Sequence, residues 1–319
     1  LKLPINKNSL IFLGIMFLFL LIPWIVNPYL LFIFNMFFIY VILSIGLNLL
    51  LGYAGQFAFA NSAFFGIGAY GILLLQIKLG CPFWVSLILA GIITALIGVV
   101  VGFPALRLSG LYLAIVTLSF SLLVQWILIH WYSFTFGAGG HKCPVPNFSF
   151  LPITTEQGMY YLSFLITIIL IIATWNIIRS RIGRAFMAIR ESEIVAQSMG
   201  INITNYKALA FGLSAFYAGI AGCLFAGTLK FVAPENFGLF ETIIQFTMVV
   251  LGGFGSIIGS VFGAGVVLFL VEITRGLHTF QEILFGGLII LTVIFLPNGL
   301  YGIIRNRFPL FREPLSRNL

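Results

Sequence analysis

Residues 159–178 read MYYLSFLITIILIIATWNII, twenty positions without a single charge. Wound as an α-helix, such a run rises about 30 Å, the thickness of the hydrocarbon core of a bilayer. A second charge-free run covers Ser9–Ile25. The rest of the chain agrees with these two. Of its 319 residues, 61% are hydrophobic, 16% aromatic and only 8% charged, with a mean hydropathy of +1.15. Soluble domains carry roughly a quarter charged residues, and a soluble core of this size would need a polar surface that is absent here. The sequence therefore describes an all-α integral membrane protein, a single transmembrane domain over 1–319.

Ten transmembrane segments are expected, at 9–26, 29–51, 57–77, 83–104, 109–130, 159–178, 207–229, 241–253, 256–274 and 280–299. The eighth is short and runs into Gly252-Gly253-Phe254-Gly255, so a half-span or broken helix is expected there. With both termini cytoplasmic, the inner segments hold Lys2, Lys7, Arg107, Arg179, Arg181, Arg184, Arg190, Lys207, Arg305, Arg307, Arg312 and Arg317. The outer ones hold Lys78, Lys142, Lys230 and Arg275. Twelve against four is a positive-inside bias, and it accounts for the net charge of +8 without nucleic acid. Lys2 and Lys7 before an apolar run resemble a signal peptide. Leu10–Ile25, however, ends on Pro23-Trp24 rather than a small-residue cleavage site, so an uncleaved anchor is expected.

Small residues recur at helical spacing: Ser214, Ala218, Gly222 and Ala226; Ala215, Gly219, Cys223 and Gly227; Gly255, Gly259 and Gly263; Gly98 and Gly102. Such ladders let helices approach closely in lipid, for packing or for lining a moving path. The stretch GYAGQFAFANSAFFGIGAYG (52–71) joins five glycines to Gln56, Asn61 and Ser62. Polar amides within a span need partners, and glycines permit a non-helical entry where it is buried or lines water. Asn48, Gln56, Asn61, Ser62 and Gly66 are thus candidates for a substrate path or for interhelical hydrogen bonds. Cys81, Cys143 and Cys223 have no metal spacing; Cys81 and Cys143 fall on one predicted side, where a disulfide is open.

What is missing narrows the function. The chain has no Asp, and Glu241 and Glu272 fall near the ends of proposed spans, so no ionisable group is expected at mid-membrane. A carrier driven by protons or ions often needs one. Glu272 stands three residues before Arg275, which suggests a local ion pair. There is no G-x-x-x-x-G-K-[ST] phosphate loop and no catalytic cluster, with three scattered His. Energy for uphill transport would have to come from another protein. A passive channel or a sodium-coupled carrier is the alternative class.

Against this background, residues 188–201, AIRESEIVAQSMGI, place one Arg and two Glu within four positions. Read as one helix, Ala188, Ser192, Val195 and Met199 line one face and Arg190, Glu193 and Gln197 the other, with Ile194 the exception. Gly200 is the expected C-terminal cap. Too charged to cross, this helix belongs to a cytoplasmic loop, 179–206. It could lie on lipid, pack on its own protein or dock a partner.

The run GRAFMAIRESEIVAQSMGIN (183–202), followed by KALAFGLSAFYAGIAG (207–222), resembles the LivM-type permeases of branched-chain amino-acid ABC importers. GLNLLLGYAGQFAFANSAFFGIGAY (46–70), FPALRLSGLYLAIVTLSF (103–120) and FLPNGLYGI (295–303) are similar to the same family. The resemblance implies an ABC importer permease fold in the bacterial cytoplasmic (inner) membrane. It implies a second, LivH-like permease subunit, two cytoplasmic ATPase subunits that bind ATP and Mg, and an extracytoplasmic solute-binding protein. No cofactor is implied in this chain. The inner helix would be the coupling helix, with Arg190, Glu191, Ser192, Glu193, Ala196, Gln197, Met199 and Gly200 at the ATPase contact. Glu191-Ser192 departs from the Glu-Ala-Ala of the broader signature. Permeases for urea and short amides are similar enough to be the alternative substrate class.

Overall fold

A computed structural model describes residues 19–105, 108, 110–146, 148, 153–276, 278–296 and 299–307. The proposed span 9–26 lies largely outside these residues, as do Lys2, Lys7, Arg107, Arg312 and Arg317. Long helices follow one another: α1 (Pro28–Asn48), α2 (Asn61–Leu79), α3 (Phe83–Ala105), α4 (Leu111–His130) and α5 (Thr155–Arg179). Two short helices come next, α6 (Arg181–Glu191) and α7 (Glu193–Ser198). The remainder is α8 (Ile203–Leu229), α9 (Leu239–Gly252), α10 (Ile257–Ile273), α11 (His278–Phe295) and α12 (Gly299–Arg307).

Among the described residues, eight helices are long and apolar enough to cross a bilayer. They coincide with eight of the ten expected segments. The 241–253 segment is instead the 14-residue α9, too short to span alone. The charge-free run that opened the sequence lies within α5, which starts on a capping box. Thr154 accepts from the Gln157 N–H while the Gln157 side chain accepts from the Thr154 N–H.

α8 forms the centre of the bundle and packs on α3, α2 and α1. Its two rows of small residues are the reason. Ser214, Ala215, Ala218, Cys223 and Ala226 are fully buried. A Cβ at Gly68 of α2 would strike the Gly219 backbone, and one at Gly222 the Phe65 carbonyl. Backbone therefore meets backbone across the α2–α8 contact, which no larger side chain allows. The ladder Gly259 and Gly263 does the same for α10 against Gly252 and Met248 of α9. At the far edge, Arg275 pairs with Glu272 at 3.5 Å, as the three-residue spacing suggested.

Two features depart from simple crossing helices. α1 ends in a π-helical turn, Leu49–Tyr53, followed by irregular chain to Ala60 before α2 begins. Between α8 and α9, β2 (Phe231–Val232) pairs antiparallel with β1 (His141–Lys142), and a 3₁₀ turn follows at Pro234–Phe237. The Phe237 ring then packs between Phe65 and Phe225, at 5.3 and 6.1 Å between centroids, against Gly66. The chain has descended into the bundle before α9 starts.

Cys81, Cys143 and Cys223 are all free thiols, so the disulfide left open by the sequence is not formed. Burial pushes the Cys143 thiol up to about 12. At pH 8 its thiolate is then scarce in the folded protein and far more abundant in the unfolded chain, whose thiol titrates near 9. Maleimide labelling of Cys143 at pH 8 should be slow in the native permease and become fast on unfolding; fast native labelling would contradict its buried placement.

Candidate functional site

The charged stretch is two helices, not the single helix its periodicity suggests. Ser192 is extended (φ −162°, ψ 116°), and its hydroxyl accepts from the Val195 N–H to cap α7. The competing preference that breaks the helix is this serine N-cap. The α7 terminus carries a Schellman motif: Ile201 N–H donates to the Ala196 carbonyl and Gly200 N–H to that of Gln197. Gly200, at φ +80°, closes it as the sequence predicted.

The break reassigns the faces. Ala196 and Ile189 are buried, whereas Ile194, Val195 and Met199 are 79%, 57% and 75% exposed. Ile194, the apolar exception on the polar face of a single helix, thus joins an exposed apolar face. Glu193 does not point free into solvent: its carboxylate pairs at 2.6 Å with Lys207 of α8, a lysine whose side chain is 2% exposed. Glu191 and Gln197 are exposed and Ser192 is half-buried.

Arg190 turns inward. Its guanidinium donates to the Gly52 carbonyl in the π-helical turn. Its side-chain stem lies against Gly55, a residue at φ +67° where a Cβ would come within 2.9 Å of Arg190 Cγ. One turn back, Phe186 sits in an apolar cluster with Leu50, Ala54, Ala58, Leu113 and Phe211. The α6–α7 pair is therefore fastened by a hydrogen bond, a ring and an ion pair to the break between α1 and α2 and to α8.

That break begins the polar site. Asn48 makes three hydrogen bonds to the α9–α10 corner. Its amide donates to the Ser256 carbonyl (2.8 Å) and Ser260 Oγ (2.7 Å), and its oxygen accepts from Gly255 N–H (2.9 Å). Gln56 is buried and donates to the Ala54 carbonyl at 3.2 Å. The irregular backbone finds partners too, Phe59 N–H donating to Thr117 Oγ1 at 2.9 Å, as non-helical chain at membrane depth requires. Phe57, 47% exposed, meets Phe254 edge to face, and Phe59 packs at a tilt on Phe246.

At the head of α2, two chains of hydrogen bonds converge. Ser62 Oγ lies 2.6 Å from both Ser121 Oγ and Thr242 Oγ1. Asn61 Nδ2 donates to Gln245 Oε1 (2.7 Å), its oxygen accepts from Ser214 Oγ (3.4 Å), and Gln245 Nε2 donates to Glu241 Oε1 (3.0 Å). The candidates Asn48, Gln56, Asn61, Ser62 and Gly66 are all buried; Asn48, Asn61 and Ser62 bond between helices, Gln56 bonds locally and Gly66 packs against Phe237.

Glu241 corrects the expectation of spans without a mid-membrane ionisable group. Ser214 lies near the middle of the 27-residue α8, and the network that starts there ends on Glu241. The physical reason is the descent of residues 230–238 before α9, which carries the start of the helix inward. Sequence reading also missed Gln245, Thr242 and Ser121, and named Ser214 only as a small packing residue and Lys207 only as an inner-side charge. A Glu and a Gln four apart on an apolar segment was the available signal, since both would share one helix face.

A family model described as "Branched-chain amino acid transport system / permease component" matches residues 29–294. The chain belongs to this family. Among curated relatives of the permease family, LivM of Salmonella typhimurium is 35% identical over 296 residues, covering 85% of this chain and 70% of the relative. LivM of Escherichia coli K12 is 34% identical over the same shares. LivH of Salmonella typhimurium, 28% identical over 290 residues, covers 82% of this chain and 91% of its own. All three are named as permease proteins of a high-affinity branched-chain amino acid transport system. No solved structure matches.

Proposed function

We propose that the chain is one permease subunit of an ATP-driven importer of branched-chain amino acids in the bacterial cytoplasmic membrane. A second, LivH-like permease stands beside it, two ATPase subunits bind it from the cytoplasm, and a solute-binding protein delivers substrate from outside. ATP and Mg belong to the ATPases. Both termini and the α6–α7 pair face the cytoplasm, in keeping with the excess of Lys and Arg on that side.

The observation that carries this reading is the joint at Arg190. The exposed apolar surface of α7, at Ile194, Val195 and Met199, is the docking face for an ATPase. The same element is hydrogen-bonded through Arg190 to the turn that ends α1. Movement of the ATPases can therefore reach the broken entry to α2 directly, where Asn48 and Asn61 hold α10, α9 and α8. Rocking of the helices about this corner opens the path alternately to each side. A passive channel would have no use for such a joint.

Uptake into liposomes carrying the complete importer, comparing leucine with urea, tests the assignment. Leucine uptake that requires both ATP and the binding protein is expected. Urea uptake in place of leucine would move the chain to the amide-transporting class, and uptake without ATPases would overturn the importer reading.

A further inference from the structure

Glu241 is a carboxylate whose surroundings do not complete it. It stands in the first turn of α9, where the helix dipole favours negative charge. Tyr40, at the middle of the Pro28–Tyr53 span, lies within electrostatic reach of it. With Ser214 of α8 at the other end of the network, two independent helices place the group midway through the bundle. The ion pairs among the described residues are Lys207–Glu193, Lys230–Glu156 and Arg275–Glu272. Glu241 belongs to none of them.

An ionised carboxylate offers about four acceptor positions, and Gln245 Nε2 occupies one. Tyr40, Thr242 and Gln245 around it are buried, and Glu241 itself is half-buried. Ionisable groups at this depth are costly and face the bundle interior or a cavity, where they mark a path for ions or substrate. A carboxylate at this depth is stabilised in its charged form by a cation beside it, and the described residues supply none.

We propose that Glu241 is the counter-charge met by the substrate's ammonium group midway across the membrane. The proposal rests on the reading of the chain as an amino-acid permease. An α-amino acid enters as a zwitterion, and its ammonium is the part most costly to move through an apolar path. A single carboxylate lowers that cost without binding the substrate tightly enough to hold it. Gln245 keeps the carboxylate in place, and Asn61 and Ser214 keep Gln245 in place.

Glu241→Gln is the informative variant, because its amide oxygen still accepts from Gln245 while the charge is lost. In liposomes carrying the complete importer, leucine uptake per assembled complex should fall about tenfold, and Glu241→Asp should recover part of it. Wild-type uptake by Glu241→Gln would overturn the proposal. If that variant fails to assemble, the wild-type importer is labelled with dicyclohexylcarbodiimide and the modification of Glu241 followed by mass spectrometry. Leucine under turnover should slow the labelling several-fold, and a rate unchanged by leucine would overturn the proposal. Absence of leucine uptake by the wild type would remove the importer reading and this inference together. Wild-type uptake alongside an unaffected Glu241→Gln removes the inference alone.

Discussion

Arg190→Ala should leave the importer assembled, with its ATPases attached, and cut leucine uptake on the order of 100-fold. The docking face of α7 does not include Arg190, so binding of the ATPases survives. What is lost is the connection from that face to the membrane. The Gly52 carbonyl loses its donor and the stem that fills the space beside Gly55 is gone. A displacement of α6 and α7 can then be absorbed as slack at residues 52–60 and not passed to α1 and α2. Arg190→Lys should recover uptake only in part, since an ammonium reproduces the charge but not the reach of a guanidinium. Uptake and ATP hydrolysis measured in the same liposomes check the outcome: hydrolysis that continues while transport fails is the signature of uncoupling. Undiminished transport would show that the contact is only structural.

Glu193→Lys should have the second large effect, through the folded state of the charged stretch. Read from the sequence, Glu193 is an outward charge whose reversal spares the fold. The structure gives it a buried partner. Breaking a buried ion pair by removing one member costs about 3–5 kcal/mol, because the other charge is left unpaired. Glu193 is 42% exposed, so solvent screening brings the figure down to roughly 2–3 kcal/mol. That is comparable with the total holding a six-residue helix in place. α7 should detach from α8, with faster hydrogen exchange over 193–202 and loss of the ATPases from the purified complex. Exchanging both partners, Glu193→Lys with Lys207→Glu, should restore protection in part. Native protection in Glu193→Lys alone would mean that Lys207 is stabilised by something other than this pair.

Much of the fold is written locally, and that part was legible. Charge-free runs mark the spans because hydrophobic thickness acts residue by residue, and the ladders of Gly and Ala mark α8 as the centre. The Gly200 cap was legible for the same reason, since a positive φ at a helix end is a local demand. The parts that were not legible depend on distant partners. Ser192 in a charged run reads as one more polar face until its hydroxyl is seen to cap a new helix. Glu193 looks solvent-facing because its lysine is fourteen residues further on, across a turn. Glu241 was assigned to a span end because hydropathy cannot show that β2 and the Phe237 turn carry the chain inward first.

The site was half visible. Asn48, Asn61 and Ser62 stand out as amides and hydroxyls in apolar surroundings, and all three proved to be organising residues of the corner between α1, α2, α9 and α10. Their use as hydrogen-bond partners rather than exposed ligands needs the other helices to be in place. Gln245, which links Asn61 to Glu241, shares a helix face with that acid four residues before it, but the spacing alone does not say which other helix the face meets.

The central claim is that α7 is the surface through which ATPases drive this permease. Cysteine cross-linking tests it most directly, with Met199→Cys at the centre of the exposed face and short bifunctional reagents applied to the complete importer in membranes. The account predicts a cross-link from position 199 to an ATPase subunit, with an efficiency that changes between the nucleotide-free and ATP-bound states. Cross-links to lipid-facing helices of this chain alone, with none to an ATPase in either state, would contradict it.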